Sequence, residues 1–537
     1  MGYKYQNLYE NLTQIAKDKP NAVAIYDDKI KLCYDELKTK VDRVAGYLES
    51  IGIRYGDKVA VLVTNSQEFI ISYYAITALG AVAVPINTFL KFDEISYIVK
   101  DCEAKVLILS SSYAKELKKA NQLGIHHFIW VSDVPNGFVK SAPLDKTYEE
   151  EAESLYLGGE FSDDIKHVSF AELLEFPNAI SHECKANLDD LCHIIYTSGT
   201  TGKPKGAMIT YKNIYSNIVG VSNRFKASSK DRFVVFLPMF HSFTLTTMVV
   251  LPMHVGASVI LVKSVFPFSN VLKQTLLKRA TIFLGVPAIY TAIGKAKIPW
   301  YFKWFNKVRL FVCGAAPLAQ QTIDDFTQKF PRAKLIEGYG LSECSPVVAS
   351  NLLEKQKLLS VGKPLDGYEI KIVNDEMMQL GIGEVGEIIV KGDCVMRGYY
   401  GLDNSDTIIN GWLKTGDLGR VDEDGFIYIV DRKKDLIISK GINIYPREIE
   451  EVIYQREEVE ACAVIGISDE HADEEVVAFV QLKEGMDIEE KELRAYLKKY
   501  LANFKIPKNI YFSEELPRNA TGKVLKRVLK EQIKDKI

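Results

Sequence analysis

Apolar and polar positions follow two rhythms along this chain. From Asp57, short β-branched runs ("KVAVLV", "AVAVP", "KVLILS") alternate with segments of helical spacing ("QEFIISYYAITALG", "FDEISYIVKD"). Ser66 stands where the first of these helices needs an N-cap. The alternation predicts a parallel sheet with helices on its faces. From Asp145 to Asp190 the rhythm fades, and "KTYEEEAESLYLGGEFSDD" is acidic and aperiodic, as expected of an exposed insertion.

The rhythm then resumes. "FVVFLP", "SVILVK", "TIFLG", "VRLFVCG" and "KLIEGYG" read as strands, and most end in a Gly or Pro turn: "LPMFHSF", "LGVPA", "CGAAP", "GYGLSE". Ligands of open parallel sheets bind beyond the carboxyl ends of the strands, so these turns are expected to converge on one crevice. Past about Val361 the texture shifts to short strands, "EIIVKG" and "GFIYIV", with "DEDG" as a hairpin signal. The last stretch restarts as a small α/β unit: a helix after Pro446 ("REIEEVIYQ"), strands "EACAVIGI" and "VVAFVQL", and the helix "EKELRAYLKKYL". The boundary falls near "DRKKD", Asp431 to Asp435.

Composition narrows the picture. The 537 residues are 47% hydrophobic and 26% charged, with net charge −3. That supports a large core and gives no whole-chain electrostatic case for binding nucleic acid or an anionic membrane. Eight scattered cysteines form no zinc or redox pair and read as reduced thiols of a cytoplasmic protein. The N-terminus, "MGYKYQNLYENL", has no secretory apolar run and no Ser or Thr at position six for myristoylation. Two apolar stretches, Phe69 to Ile86 and Leu245 to Val262, are broken by Gly80 and Pro85, and by Pro252, His254 and Gly256. Each is expected as a buried helix followed by a strand. Peripheral membrane contact stays open.

Four places carry candidate chemistry. "YTSGTTGKPKG", Tyr196 to Gly206, has glycines that free backbone N–H groups, hydroxyls at Thr197, Ser198, Thr200 and Thr201, and a cation at Lys203. It departs from the common phosphate loop, because Gly199 and Gly202 are three apart and Pro204 follows Lys203. Glu343 in "EGYGLSE" is either a Mg²⁺ carboxylate or a helix-start glutamate. Asp417 in "TGDLG" is either a ribose acceptor or a turn aspartate, and Lys523 in "PRNATGK" is a site cation or a solvated lysine. "GIGEVG", Gly381 to Gly386, matches a dinucleotide fingerprint but lies between an acidic turn and a strand, so it reads as a glycine turn.

The set "YTSGTTGKPKG", "EGYGLSE", "TGDLG", "DRKKDLIISKGINIYPREIE" and "PRNATGK", in this order over nearly the whole chain, resembles the adenylate-forming superfamily. Within it the sequence is most similar to acyl-CoA synthetases of the fatty-acid type. The resemblance implies an α/β fold: a large N-terminal domain, 1–431, of parallel α/β sheets plus a small β-barrel-like region, and a small mobile C-terminal α+β domain, 432–537. It implies that a fatty acid attacks the α-phosphate of ATP, giving acyl-adenylate and pyrophosphate, and that coenzyme A then displaces AMP.

By the same resemblance, Thr197, Ser198, Gly199, Thr200, Thr201, Gly202 and Lys203 would hold the β- and γ-phosphates, and Glu343 would bind Mg²⁺. Ser342 stands where the family most often has Thr, with the hydroxyl kept. Gly314, Ala315, Ala316, Gly338 and Tyr339 would line the adenine site, and Asp417 and Arg432 would hold the ribose. Lys523 would bridge the carboxylate and the α-phosphate. Lys434 would be the hinge of a domain swing that brings Gly441 to the pantetheine tunnel. His241, alone more often a structural residue, would gate the acyl pocket rather than act as a base. "MFHSFTLTTM" shows no counterpart of the tryptophan gate of some long-chain enzymes. The basic face at Lys523, Lys526, Arg527 and Lys530 suits a coenzyme A phosphate or an acidic acyl carrier protein. A non-catalytic adenylate binder is disfavoured by the joint presence of Glu343, Arg432 and Lys523. A homodimer and contact with the inner face of a membrane remain open expectations.

Overall fold

The computed structural model describes residues 3–27, 30–113, 120–132, 165–181, 184–198, 203–263, 267–295, 298, 300–314, 318, 320–439, 442–468, 474–518 and 523–534. The acidic segment 146–164 lies outside them, as do Gly199, Thr200, Thr201, Gly202, Ala315, Ala316 and Gly441.

The strands fall into two large sheets. One runs Gly398–Tyr399, Pro204–Thr210, Leu191–Ser198, Val82–Pro85, Lys58–Leu62, Val106–Ser110, His127–Val131 and Lys166–Ser169. From Leu191–Ser198 to Lys166–Ser169 the neighbours are parallel. The two strands flanking the Gly-rich loop instead pair antiparallel, with Ser198 opposite Pro204. The common phosphate loop leads into a helix and uses its N-terminal dipole. Here a strand follows, so anion binding must rest on hydroxyls, backbone N–H groups and lysine. A Cβ at Gly206 would come within 2.8 Å of Ile194 Cγ2 and 3.0 Å of Tyr196 Cζ, which makes glycine necessary in the return strand.

The second sheet runs Lys363–Pro364, Val347–Ser350, Lys334–Gly340, Leu310–Cys313, Ile282–Gly285, Arg232–Val235, Ser258–Leu261, Val23–Asp27 and Ile30–Cys33. Its central strands, Lys334–Gly340 through Val23–Asp27, are parallel. Gly285, Cys313 and Glu337 stand abreast at one end. The ends of these strands therefore share one rim, as the strand alternation predicts.

Both membrane-tempting stretches are helix followed by strand. Ser66 Oγ accepts from Phe69 N at 3.3 Å and starts the helix Gln67–Ala78, which is buried from Phe69 to Ala78 and leads to Val82–Pro85. A helix without a polar stripe is a core helix. The second stretch makes a π-helical turn, Leu245–Val250, and a short helix, Leu251–Val255, closed by Gly256 at φ +69, before the strand Ser258–Leu261. Among the described residues no helix is long and apolar enough to cross a membrane.

The region of short strands is an antiparallel sheet of Glu369–Val373, Gly386–Lys391, Trp412–Val421, Ile408–Ile409 and Ile427–Arg432. "GIGEVG" joins two of these strands, and a Cβ at Gly386 would lie 2.4 Å from Val373 O. Beyond the turn Lys433–Asp435 the chain forms a hairpin, Ile437–Ser439 with Ile442–Ile444, and the helix Pro446–Ile453. A sheet of Val459–Ser468, Glu474–Leu482 and Asn509–Phe512 follows, with the helices Glu490–Tyr500 and Lys526–Lys534. Ile437, Ile444, Ile449, Val464, Val480 and Leu497 make an apolar core distinct from the one that contains Ile388, Leu413 and Ile427.

Candidate active site

The rim is organised around the turn that ends Lys334–Gly340. A Cβ at Gly340 would sit 1.9 Å from Pro346 O, so only glycine lets the chain double back here. The doubled-back turn Ser342–Cys344 carries two candidate residues. Glu343 Oε1 accepts hydrogen bonds from Tyr399 OH at 2.8 Å and from Thr197 Oγ1 at 3.3 Å. Ser342 Oγ lies 2.9 Å from Ser242 Oγ on the loop after Arg232–Val235. The Gly-rich hairpin, the acidic turn and the "FHSF" loop are thus joined side chain to side chain. Lys203 is exposed, with Nζ 5.7 Å from the centre of the Tyr97 ring.

Asp417 lies across from Arg432 on paired strands, with Oδ1 3.3 Å from Arg432 Nε. Tyr339 OH donates to Oδ2 at 2.6 Å, and the Asp417 N–H is held by Thr415 Oγ1 at 3.1 Å. Burial, then the neighbouring Asp417 carboxylate, pushes the Tyr339 phenol well above its usual range, so it stays protonated and can donate to Asp417. Gly338 is beside this pair on the same strand, and a Cβ there would stand 3.3 Å from Ala349 O. Gly314 closes the strand Leu310–Cys313, and its bare Cα lets the Phe243 ring approach: a Cβ would lie 3.2 Å from Phe243 Cζ.

Lys523 comes from the C-terminal unit to the same corner. Burial, and then repulsion by Arg432, lowers its ammonium to about 8, against the attraction of Asp435 and Asp417. Lys434 is exposed in the intervening turn, whose neighbour Lys433 pairs with Asp375 at 2.6 Å and Glu387 at 3.0 Å. His241 accepts the Phe243 N–H at Nδ1, 3.3 Å away, and desolvation lowers it to about 4, which keeps it neutral. The π-helical turn that follows is a feature often found at functional sites.

The geometry adds three residues that the sequence does not single out. Ser242 and Tyr399 become visible only through their bonds to Ser342 and Glu343. Glu337 is buried, accepts the Leu318 N–H at 3.2 Å, and is raised by burial to about 7. No spacing signal marks them, because each depends on a partner distant in the chain.

Among the described residues no group of three His, Cys, Asp or Glu side chains could hold a metal by itself. That is consistent with Mg²⁺, which is commonly bound by one or two carboxylates and the phosphates of its nucleotide. Every hydrogen bond to the Glu343 carboxylate among the described residues falls on Oε1, so Oε2 is left for such a cation.

Residues 12–400 match the family AMP-binding enzyme, and residues 448–523 match the AMP-binding enzyme C-terminal domain. The chain is 33% identical to a long-chain-fatty-acid–CoA ligase of Bacillus subtilis (strain 168), over 98% of this chain and 94% of that protein. It is also 33% identical to a feruloyl-CoA synthase of Amycolatopsis sp, over 95% of this chain and 96% of that protein. The crystal structure of the anthranilate CoA ligase AuaEII with anthranoyl-AMP superposes with a TM-score of 0.86 at 26% identity, covering 100% of this chain and 99% of that one. With two matched domains and a rim on which all five motif regions are represented, the chain belongs to the AMP-binding enzymes, the family of adenylate-forming acyl-CoA ligases.

Proposed function

We propose that this enzyme joins a fatty acid to coenzyme A, with Mg²⁺ and ATP. A carboxylate oxygen attacks the α-phosphorus and pyrophosphate leaves; the coenzyme A sulfur then attacks the acyl carbon and AMP leaves. Joining an acid directly to a thiol is uphill, and adenylation replaces a poor leaving group with a good one. Positioning and charge stabilisation carry both steps.

The residues divide that work. Asp417 and Arg432 orient the ribose, while Gly314, Gly338 and Tyr339 border the adenine. Thr197 and Lys203 hold the outgoing phosphates. Lys523, still largely protonated at neutral pH, places a cation where charge grows on the α-phosphate. Magnesium, when bound, neutralises phosphate charge, and Glu343 holds it. Neutral His241 stands at the mouth of the acyl pocket without competing as a base. A swing at Lys434 exchanges Lys523 for the segment bearing Gly441 between the two steps.

One observation carries the fatty-acid assignment. From Phe236 to Met253 the only ionisable side chain is His241, and Thr244 to Met253 are all buried. An acyl pocket walled by this segment would suit an uncharged aliphatic tail and penalise a second carboxylate. A phenolic acid is the second reading, because among the described residues Thr244 Oγ1 and Thr246 Oγ1 are buried without a hydrogen-bond partner and would accommodate a ring hydroxyl. AMP release across a panel of aliphatic and aromatic acids, with coenzyme A or acyl carrier protein as acceptor, separates these outcomes. Aliphatic acids with coenzyme A should react fastest. No AMP with any fatty acid would sink the proposal, and faster turnover of hydroxycinnamic acids would replace it with the second reading.

A further inference from the structure

We infer that Tyr399 is a positioning residue for the cation that accompanies ATP: its hydroxyl holds Oε1 of Glu343 and so leaves Oε2 as the oxygen that takes the metal. The inference rests on the magnesium role proposed above for Glu343.

Tyr399 OH donates to Oε1 at 2.8 Å, shorter than the 3.3 Å bond from Thr197 Oγ1 to the same atom. Two donors on one carboxylate oxygen draw charge to that side and stop the group from rotating. The other oxygen then meets a cation without first reorganising.

The tyrosine is itself held. Its backbone pairs with Ala207 on the return strand of the Gly-rich hairpin. Asn404 Oδ1 accepts its N–H at 2.6 Å, and Asn404 Nδ2 donates to its carbonyl at 3.2 Å. Two residues before Gly398, the Met396 N–H donates to the Glu343 carbonyl at 2.9 Å. Lys205, also on the return strand, places Nζ 5.3 Å from the centre of the Tyr399 ring. Two strands of one sheet, bearing Thr197 and Tyr399, thus reach one carboxylate on a turn of the other sheet, and the strand between them sets Lys205 against the Tyr399 ring. Partners of a metal ligand that do not touch the metal commonly change its affinity by about 10–100-fold when removed.

The test is calorimetric binding of an ATP analogue with a methylene between the α- and β-phosphorus atoms, at a series of magnesium concentrations. Tyr399→Phe keeps the ring and removes the hydroxyl. It should raise the magnesium concentration for half-maximal binding about tenfold and leave metal-free binding of the analogue unchanged. In a Glu343→Gln background the same substitution should add nothing, since it acts through that carboxylate. An unaltered magnesium midpoint in Tyr399→Phe, or an equal loss in both backgrounds, overturns the inference. Wild-type binding that is indifferent to magnesium overturns the metal role of Glu343 as well, so the two failures are distinguishable.

Discussion

Asp417 and Arg432 face each other across two antiparallel strands, Nε 3.3 Å from Oδ1, while Tyr339 takes the other oxygen at 2.6 Å. The strand register sets one contact and a different sheet supplies the other. The carboxylate is thereby aligned before any nucleotide arrives. Asp417→Ala removes the proposed acceptor for the ribose hydroxyls, and the expected loss is about 2 kcal/mol in ATP binding, the scale of a hydrogen bond to a charged group. Isothermal titration with ATP measures it; an unchanged Kd would remove Asp417 from the nucleotide site.

Lys523 is expected to set the alkaline limb of adenylation. Its ammonium is charged below about 8 and neutral above, so the rate of acyl-adenylate formation should fall as pH rises through about 8. Acid-dependent exchange of pyrophosphate into ATP reads this step without coenzyme A, whose thiol would otherwise titrate nearby. Lys523→Arg keeps its charge, and whatever activity it retains should lack the limb. Lys523→Ala should lose about 100-fold or more in exchange while still binding ATP. Exchange at the wild-type rate in Lys523→Ala would contradict the assignment.

Glu337 should cost stability at neutral pH. Its folded value, about 7, is above the ordinary 4.5, so the protonated carboxyl is the form that the fold favours. That contribution is fully present below about 4.5 and is lost as pH rises through about 7. Glu337→Gln keeps the acceptor for the Leu318 N–H and removes the charge. It should be more stable than wild type above pH 7 by up to about 3 kcal/mol, and the gap should close towards pH 4.5. Urea unfolding of both proteins at several pH values decides it, and a gap that is constant with pH refutes it.

Gly340→Ala should damage the site through the backbone. The new methyl would start 1.9 Å from Pro346 O, a backbone atom that cannot move without shifting the Ser342–Cys344 turn. A loss of about 1–3 kcal/mol or more is expected, together with weaker nucleotide binding, because Glu343 rides on the turn. Denaturant unfolding and ATP titration on the same sample would show both losses; full stability would mean the turn has another accessible shape.

Much of the fold is legible because its signals are local. The helix Gln67–Ala78 announces itself by a cap at Ser66 and by apolar side chains on every face. Strands such as Ile282–Gly285 and Leu310–Cys313 are continuous apolar runs, as expected of parallel strands covered on both sides. The antiparallel pairing across the Gly-rich loop is less legible. "YTSGTTGKPKG" identifies the loop's chemistry, but only the pairing of Ser198 with Pro204 shows that a strand follows where a helix would serve the common phosphate loop.

The site divides in the same way. Residue types and motif order by themselves determined the alternation of strands and helices, the family, and the identities of Glu343, Asp417, Arg432 and Lys523 as candidates. The tertiary structure alone decided that Tyr399 and Thr197 share one oxygen of Glu343, that Ser242 meets Ser342, and that burial moves Glu337, His241 and Lys523 in different directions. The reason is physical. A side chain's chemistry is covalent and travels with the sequence, whereas its hydrogen-bond partners and its loss of water are set by segments that, for these residues, lie between 19 and 146 positions away and meet only when the sheets assemble.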